Sequence, residues 1–242
     1  DCSGVTGARW GVASVCLDSA AREGVGDRRQ AWIDAAAATG IGHRVRLSVA
    51  GAGTDSTTSY GRGHFALDED LKSSPLGWTI LQPNGFMQNL LSNAETIKAG
   101  SIYASAGDGH VAMIDARDIG EVAASVLTNG RDIGSSLVLT GCEAVTYEDV
   151  AAALTAELGH EVWYIDVPPE ATRGNLLRYG LPPGPVEAIL APAETFRAGC
   201  APTRRPTVQE LPAPPPHPPP LSHRLPARPP RALPPTGARG GG

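Results

Sequence analysis

Residues 60–89, YGRGHFALDEDLKSSPLGWTILQPNGFMQN, constrain the fold of this chain more than any other stretch. Ala66, Leu67 and Leu71 fall at helical spacing, and the SSP at Ser73, Ser74 and Pro75 breaks the helix. Trp78, Thr79, Ile80 and Leu81 form a short run of strand formers bounded by Gly77 and Pro83. Asn84-Gly85 then turns the chain, and Phe86, Leu90, Leu91 and Ile97 begin a new helical stripe. A helix that feeds a buried strand ending in a glycine-containing turn is half of a parallel α/β unit. In such sheets ligands sit at the carboxyl ends of the strands, so Gln82 to Phe86 are expected to touch any small molecule the chain binds.

The flanking sequence repeats this alternation. Asp27 is a plausible N-cap for an alanine-rich helix over 28–39, stopped by Gly40. A strand is predicted over 43–48, then a Gly/Ser/Thr loop over 49–59. Residues 101–104 and 110–114 read as two strands joined around Gly107-Asp108-Gly109. Asp115 is expected to cap a helix over 116–127 that buries Ile119, Val122, Ala123 and Val126. A strand follows at 136–140. Thr146 to Asp149 has a capping-box pattern opening a helix that ends at Gly159. A strand at 162–167 and short helices at 169–179 and 186–196 complete the order. The class is therefore α/β with a mainly parallel sheet.

Composition excludes several functions. At 242 residues and 41% hydrophobic, the chain can bury one substantial core. A net charge of -5 is the wrong sign for a dedicated nucleic-acid binder. No apolar run approaches the ~18 residues of a membrane span, and no signal-like segment opens the chain, so a cytoplasmic setting is expected. The 4 cysteines, Cys2, Cys16, Cys142 and Cys200, are scattered without a CxxC pair; this fits reduced thiols, not a disulfide framework or zinc site.

The two ends are less regular. Gly4-Val5-Thr6-Gly7-Ala8-Arg9-Trp10-Gly11 has the look of a nucleotide-binding glycine turn. Such a turn needs a strand to aim it, and only three residues precede Gly4, so a flexible glycine-rich end is the simpler reading. The opening Asp1 in place of Met points to a processed chain or a fragment. About half of the 22 prolines follow Leu211. The segment from 201 to 242 cannot bury enough apolar surface to fold. It could present a polyproline helix to an SH3-like partner, but the abrupt change of character fits translation out of frame better.

Three residues could carry chemistry. Ser48 ends a strand, Tyr60 begins a helix, and His64 lies one turn on from Tyr60, on the same face. A phenol beside a hydrogen-bonding or cationic neighbour can donate a proton to a carbonyl or quinone oxygen. Half-buried packing residues are the competing account. Asp68, Glu69 and Asp70 read as a solvated helix face, and His43, His110 and His160 as surface or capping residues without metal-ligand spacing.

The runs YGRGHFALDEDL, WTILQPNGFMQN and VAMIDARDIGEVA, followed by LVLTGCEAVTYEDVA and VWYIDVPPE, resemble the NmrA-like branch of the atypical short-chain dehydrogenases/reductases, in particular its NAD(P)H-dependent quinone-reductase-like members. The resemblance spans about 27–197. It implies a Rossmann-type NAD(P)-binding core over 27–140 and a small C-terminal α/β substrate lobe over 141–200, between an irregular remnant at 1–26 and a disordered Pro-rich tail at 201–242. The Rossmann sheet is expected to be incomplete, because the strand, glycine turn and helix that bind the pyrophosphate would need ~30 residues per βα step ahead of His43. By the resemblance Tyr60, His64 and Ser48 are the catalytic residues, with His64 where most relatives have lysine. Pro83, Asn84, Gly85 and Phe86 lie along the nicotinamide end of NADP or NAD, and Gln82 replaces a customary arginine. The implied activity is NAD(P)H-dependent reduction of a quinone or related carbonyl; a non-catalytic NADP sensor and an inactive fragment are the alternatives. No metal, nucleic-acid or membrane partner is implied, and no feature fixes the oligomeric state or the choice between NADH and NADPH.

Overall fold

A computed structural model describes residues 14–17, as backbone, together with 41–129 and 132–199. The glycine-rich start, the helix expected over 28–39 and the Pro-rich tail lie outside the described residues.

The main sheet is parallel throughout. Strands β1 (Ser14–Leu17), β2 (His43–Leu47), β3 (Gly77–Pro83) and, later in the chain, β5 (Ser135–Leu139) lie in the order β1-β2-β3-β5. The register sets Val45 beside Thr79, Leu47 beside Leu81, and Leu81 in turn beside Leu137. Because side chains alternate along a strand, this register sorts the sheet into two faces. Val45, Leu81 and Leu139 form one face and pack on Ile119, Val122 and Val126 of helix α3 (Ala116–Asn129). Arg46 and Ser48 point the other way, toward helix α1 (Ser59–Lys72), whose buried stripe is Gly61, His64, Leu67, Asp68 and Leu71. Helices on both faces of a parallel sheet give the α/β, Rossmann-type arrangement expected above. α1 starts where Thr58 accepts from the Gly61 N–H at 3.0 Å.

Between β3 and α3 the chain runs through a 3₁₀ helix (Met87–Asn93), a short α2 (Ala94–Lys98) and strand β4 (Ser101–Ala104). β4 pairs in parallel with β6 (Trp163–Asp166) as a second, two-stranded sheet. α4 (Tyr147–Leu158) carries the capping box, with Thr146 and Asp149 each bonding the other's backbone N–H, and ends at left-handed Gly159. Helices α5 (Pro169–Arg178) and α6 (Pro183–Arg197) follow. Ile97, Ile102, Val111, Met113, Val150, Val162 and Phe196 share the core around this sheet. No helix among the described residues is long and apolar enough to cross a membrane.

Two expectations are corrected. The hairpin predicted between 101–104 and 110–114 does not form. The backbone of Val111 exchanges hydrogen bonds with Val145 at 2.9 and 3.0 Å, and Ile114 bonds Gly85 and Met87 at 2.9 Å each. With its donors and acceptors taken by the loop after β3 and the approach to α4, this segment ties the two sheets together instead of pairing with β4. Gly109 allows that course: a Cβ there would lie 2.1 Å from the Phe196 carbonyl oxygen. His43, expected on the surface, is buried; its Nε2 donates to Thr79 Oγ1 at 2.9 Å while the Thr79 hydroxyl donates to the Asp132 carbonyl at 2.7 Å. Burial lowers the His43 pKa below its ordinary value, by desolvating the charged form.

Candidate active site

β2 and β3 end side by side, and the chain leaves both at the same edge of the sheet. Ser48 N donates to the Leu81 carbonyl at 2.7 Å and Ala50 N to the Pro83 carbonyl at 2.9 Å, which fixes the two exits together. Above them lies a cleft of about 590 Å³, walled by the 49–58 loop, the first turns of α1, the turn at 83–86 and one side of α6. Ser48, Tyr60, His64, Pro83, Asn84, Gly85 and Phe86 all line it. Gln82 does not; it is the ladder partner of Val138, one position before the strand ends at Pro83.

Beneath the cleft floor is a buried polar cluster. Ser48 donates its hydroxyl to Asp68 Oδ2 at 2.6 Å, and Arg46 Nε donates to Asp68 Oδ1 at 2.8 Å. Arg46 Nη2 lies 3.2 Å from His64 Nδ1. A guanidinium only donates, so His64 Nδ1 accepts and the ring proton is assigned to Nε2. All four side chains are buried, Asp68 to 1% exposure. The Tyr60 ring tilts against His64, centroids 4.6 Å apart at 60°. Tyr60 is half-buried at the wall, and the cationic group nearest this pair in the cluster is Arg46.

Asp68 corrects the reading of 68–70 as a solvated face, and neither it nor Arg46 was singled out from the sequence. Their signal was there. Asp68 is four residues beyond His64 and eight beyond Tyr60, hence on one helical face; Arg46 is two residues before Ser48, hence on one strand face. The cluster also limits Ser48: its proton is committed to a carboxylate, so its hydroxyl offers only lone pairs to anything in the cleft.

At 83–86, Asn84 N donates to the Leu139 carbonyl and Asn84 Oδ1 accepts from Gly85 N, both at 2.9 Å. That leaves the Asn84 Nδ2 donor buried at the cleft with no partner among the described residues. Gly85 makes room for α6, since a Cβ there would stand 3.0 Å from Phe196 Cζ and 3.3 Å from Val111 Cγ2.

The turn is held from behind by the start of α3. Asp115 Oδ1 accepts from Arg117 N at 2.8 Å and from Gln88 Nε2 at 3.0 Å, while Gln88 Oε1 accepts from Ala116 N at 2.9 Å. The Arg117 guanidinium beside Asp115 holds its carboxyl well below the usual carboxylate range. A depressed native pKa means that this stabilisation is complete above the unfolded value of 3.8 and is lost as pH falls below it. Asp115→Asn is expected to cost about 1 kcal/mol near neutrality, the scale of a lost helix cap, and the gap from wild type should begin to narrow as pH falls below 4 and go on narrowing beyond pH 2. Urea unfolding across that range checks it; a gap independent of pH would show that the carboxylate charge is not what matters.

Among the described residues no group of His, Cys, Asp and Glu is arranged to hold a metal, and Cys142 is a half-buried free thiol.

No family model matches the chain. It is 36% identical over 162 residues to an NAD(P)H azoreductase of Xenophilus azovorans, covering 66% of this chain and 57% of the relative. It is 36% identical over 180 residues to a (4-alkanoyl-5-oxo-2,5-dihydrofuran-3-yl)methyl phosphate reductase of Streptomyces griseus, covering 73% of this chain and 63% of the relative. The chain thus spans less than two thirds of the length of these curated relatives. Among solved structures it resembles an NADPH-dependent quinone oxidoreductase of Escherichia coli in complex with NADPH, with a TM-score of 0.75 and 26% identity over 87% of this chain and 75% of that one. Sequence relatives and fold agree: over most of its described residues the chain is similar to NAD(P)H-dependent azo- and quinone-reducing enzymes, in keeping with the resemblance read from its sequence.

Proposed function

We propose that this chain is an NAD(P)H-dependent reductase of planar conjugated acceptors, quinones or azo compounds, working in the cytoplasm. The observation that carries the reading is the convergence of Tyr60, His64, Ser48 and the 83–86 turn on one cleft at the carboxyl ends of β2 and β3. The cleft suits a nicotinamide and an acceptor ring. The buried, unpartnered Asn84 amide is a donor for a ligand carbonyl. The walls, Phe86, Phe196, Ala188, Ala191 and Pro192, are apolar surfaces against which flat rings stack. The scatter of the 4 cysteines supports a reducing compartment.

A bound nicotinamide supplies the hydride. The residues do the rest. Tyr60 delivers a proton from its phenol to the oxygen or nitrogen of the acceptor as negative charge develops there. His64 holds the Tyr60 ring by a tilted ring contact and is itself fixed by Arg46. Ser48, its own proton given to Asp68, accepts from a ligand hydroxyl or from the proton donor. The apolar walls and the 83–86 turn exclude water and orient the ring.

Titration of the full chain with NADPH, followed by nicotinamide fluorescence and then by absorbance loss on adding a quinone or azo dye, tests the reading. Saturable binding and acceptor-dependent oxidation are the expected results. Binding without oxidation for either acceptor class would replace the enzyme with a nucleotide-holding module.

A further inference from the structure

The α6 side of the cleft contains a proline inside a helix. Pro192 lies inside α6, which continues through it, and both it and Ala188, one turn earlier, line the cleft. Proline has no N–H, so the helical hydrogen bond that would end on the Ala188 carbonyl cannot form, and the ring crowds that carbonyl aside. Ala188 and Pro192, four residues apart, share one face of the helix, and that face is the cleft wall. Among the described residues no side chain donates to the Ala188 oxygen, and the Thr195 hydroxyl on the same wall is committed to Ala191 at 2.8 Å. The neighbours Ala191, Pro192 and Phe196 are apolar. One backbone acceptor in an apolar wall fixes orientation and specificity, because a ligand that leaves it unmatched forfeits a hydrogen bond.

We propose that the Ala188 carbonyl, released by Pro192, is the acceptor with which the cleft selects planar electron acceptors bearing an N–H or O–H group on the ring. The inference rests on the reductase reading for its ligand class. It also fits the opposite wall: a ring with a carbonyl next to an amino or hydroxyl group offers an acceptor to Asn84 and a donor to α6.

The test compares 2-amino-1,4-naphthoquinone with 2-methyl-1,4-naphthoquinone, which differ by NH₂ against CH₃ at similar volume. Affinities for the full chain in saturating NADP+, which cannot reduce the quinone, are measured by calorimetry, and KM by NADPH oxidation, for wild type and Pro192→Ala. Wild type should prefer the amino compound. In Pro192→Ala, where residue 192 regains an N–H for Ala188, that preference should fall about tenfold, the effect of one neutral hydrogen bond. The change in preference cancels the difference in reactivity between the two quinones. The variant should also melt higher than wild type, because proline is unfavourable inside a helix, so the loss would not reflect unfolding. An unchanged preference overturns the inference and leaves the reductase reading standing if both quinones oxidise NADPH. If both bind and neither is reduced, the reductase reading falls, and the change in relative affinity still decides for or against the Ala188 acceptor. Binding of neither overturns both.

Discussion

Asp68→Ala is expected to destabilise the fold by about 3–5 kcal/mol, the usual effect of removing one partner from a buried ion pair. The carboxylate is 1% exposed and takes the Arg46 Nε–H on one oxygen and the Ser48 hydroxyl on the other, at 2.8 and 2.6 Å. Alanine leaves both donors to find new acceptors in a region closed to solvent, and it opens a void under the cleft floor. Against a total of about 5–15 kcal/mol for a folded domain, this is a large share. The result is not the same as saying that the ion pair is a net gain for the fold. Burying both charges carries a desolvation cost, and an apolar replacement of the whole cluster could be nearly neutral. The pair is better understood as a positioning device: it joins α1 to β2 at the height of His64 and Ser48. Asp68→Asn keeps the shape and one acceptor oxygen while removing the charge, so it should fall between wild type and alanine. Urea midpoints for the three proteins decide this. A loss below about 1 kcal/mol for alanine would show that Arg46 and Ser48 are satisfied without Asp68.

The features the sequence revealed are those written in local pattern. The helix, strand and turn at 60–89 show in apolar spacing, β-forming residues and an Asn-Gly bend, and the structure has α1, β3 and the turn there. Gly159 and the Thr146 capping box mark the ends of α4 because caps are local chemistry. What the pattern could not show depends on which distant groups meet. Residues 110–114 have a strand-like composition, but their backbone partners, Val145, Gly85 and Met87, are set by tertiary packing. Residues 12–17 can be read as a short strand without a clear period, and the pairing of β1 with His43 to Arg46 is what fixes it. Asp68 sits between Leu67 and Glu69, where charge density suggests solvent; only the helical period measured from Tyr60 points it inward. The α6 wall was legible only as a helix. Nothing local says that Ala188, Pro192 and Phe196 close a cleft whose floor lies more than a hundred residues earlier.

Tyr60→Phe is expected to lower turnover by roughly a hundred- to ten-thousandfold, the span of general-acid contributions, while nicotinamide binding stays in place. The substitution is informative because of what it keeps. The phenylalanine ring can still tilt against His64 as the tyrosine does at 4.6 Å, so the wall and the first turn of α1 are preserved. Only the hydroxyl is lost. If Tyr60 served as a packing residue, the change would be close to silent in both rate and stability. If its hydroxyl served mainly to anchor the ligand, KM would rise with kcat unchanged. A proton donor used in the rate-limiting step predicts the third pattern, a fall in kcat and in kcat/KM together with little movement in affinity. Ser48→Ala offers the contrast. Its hydroxyl proton already belongs to Asp68, so removing it should disturb the buried cluster and the melting temperature as well as the rate. Steady-state kinetics on both variants, with calorimetric melting alongside, separates the two roles. Turnover in Tyr60→Phe within a few-fold of wild type would move the proton source to another group at the cleft and reduce Tyr60 to a wall.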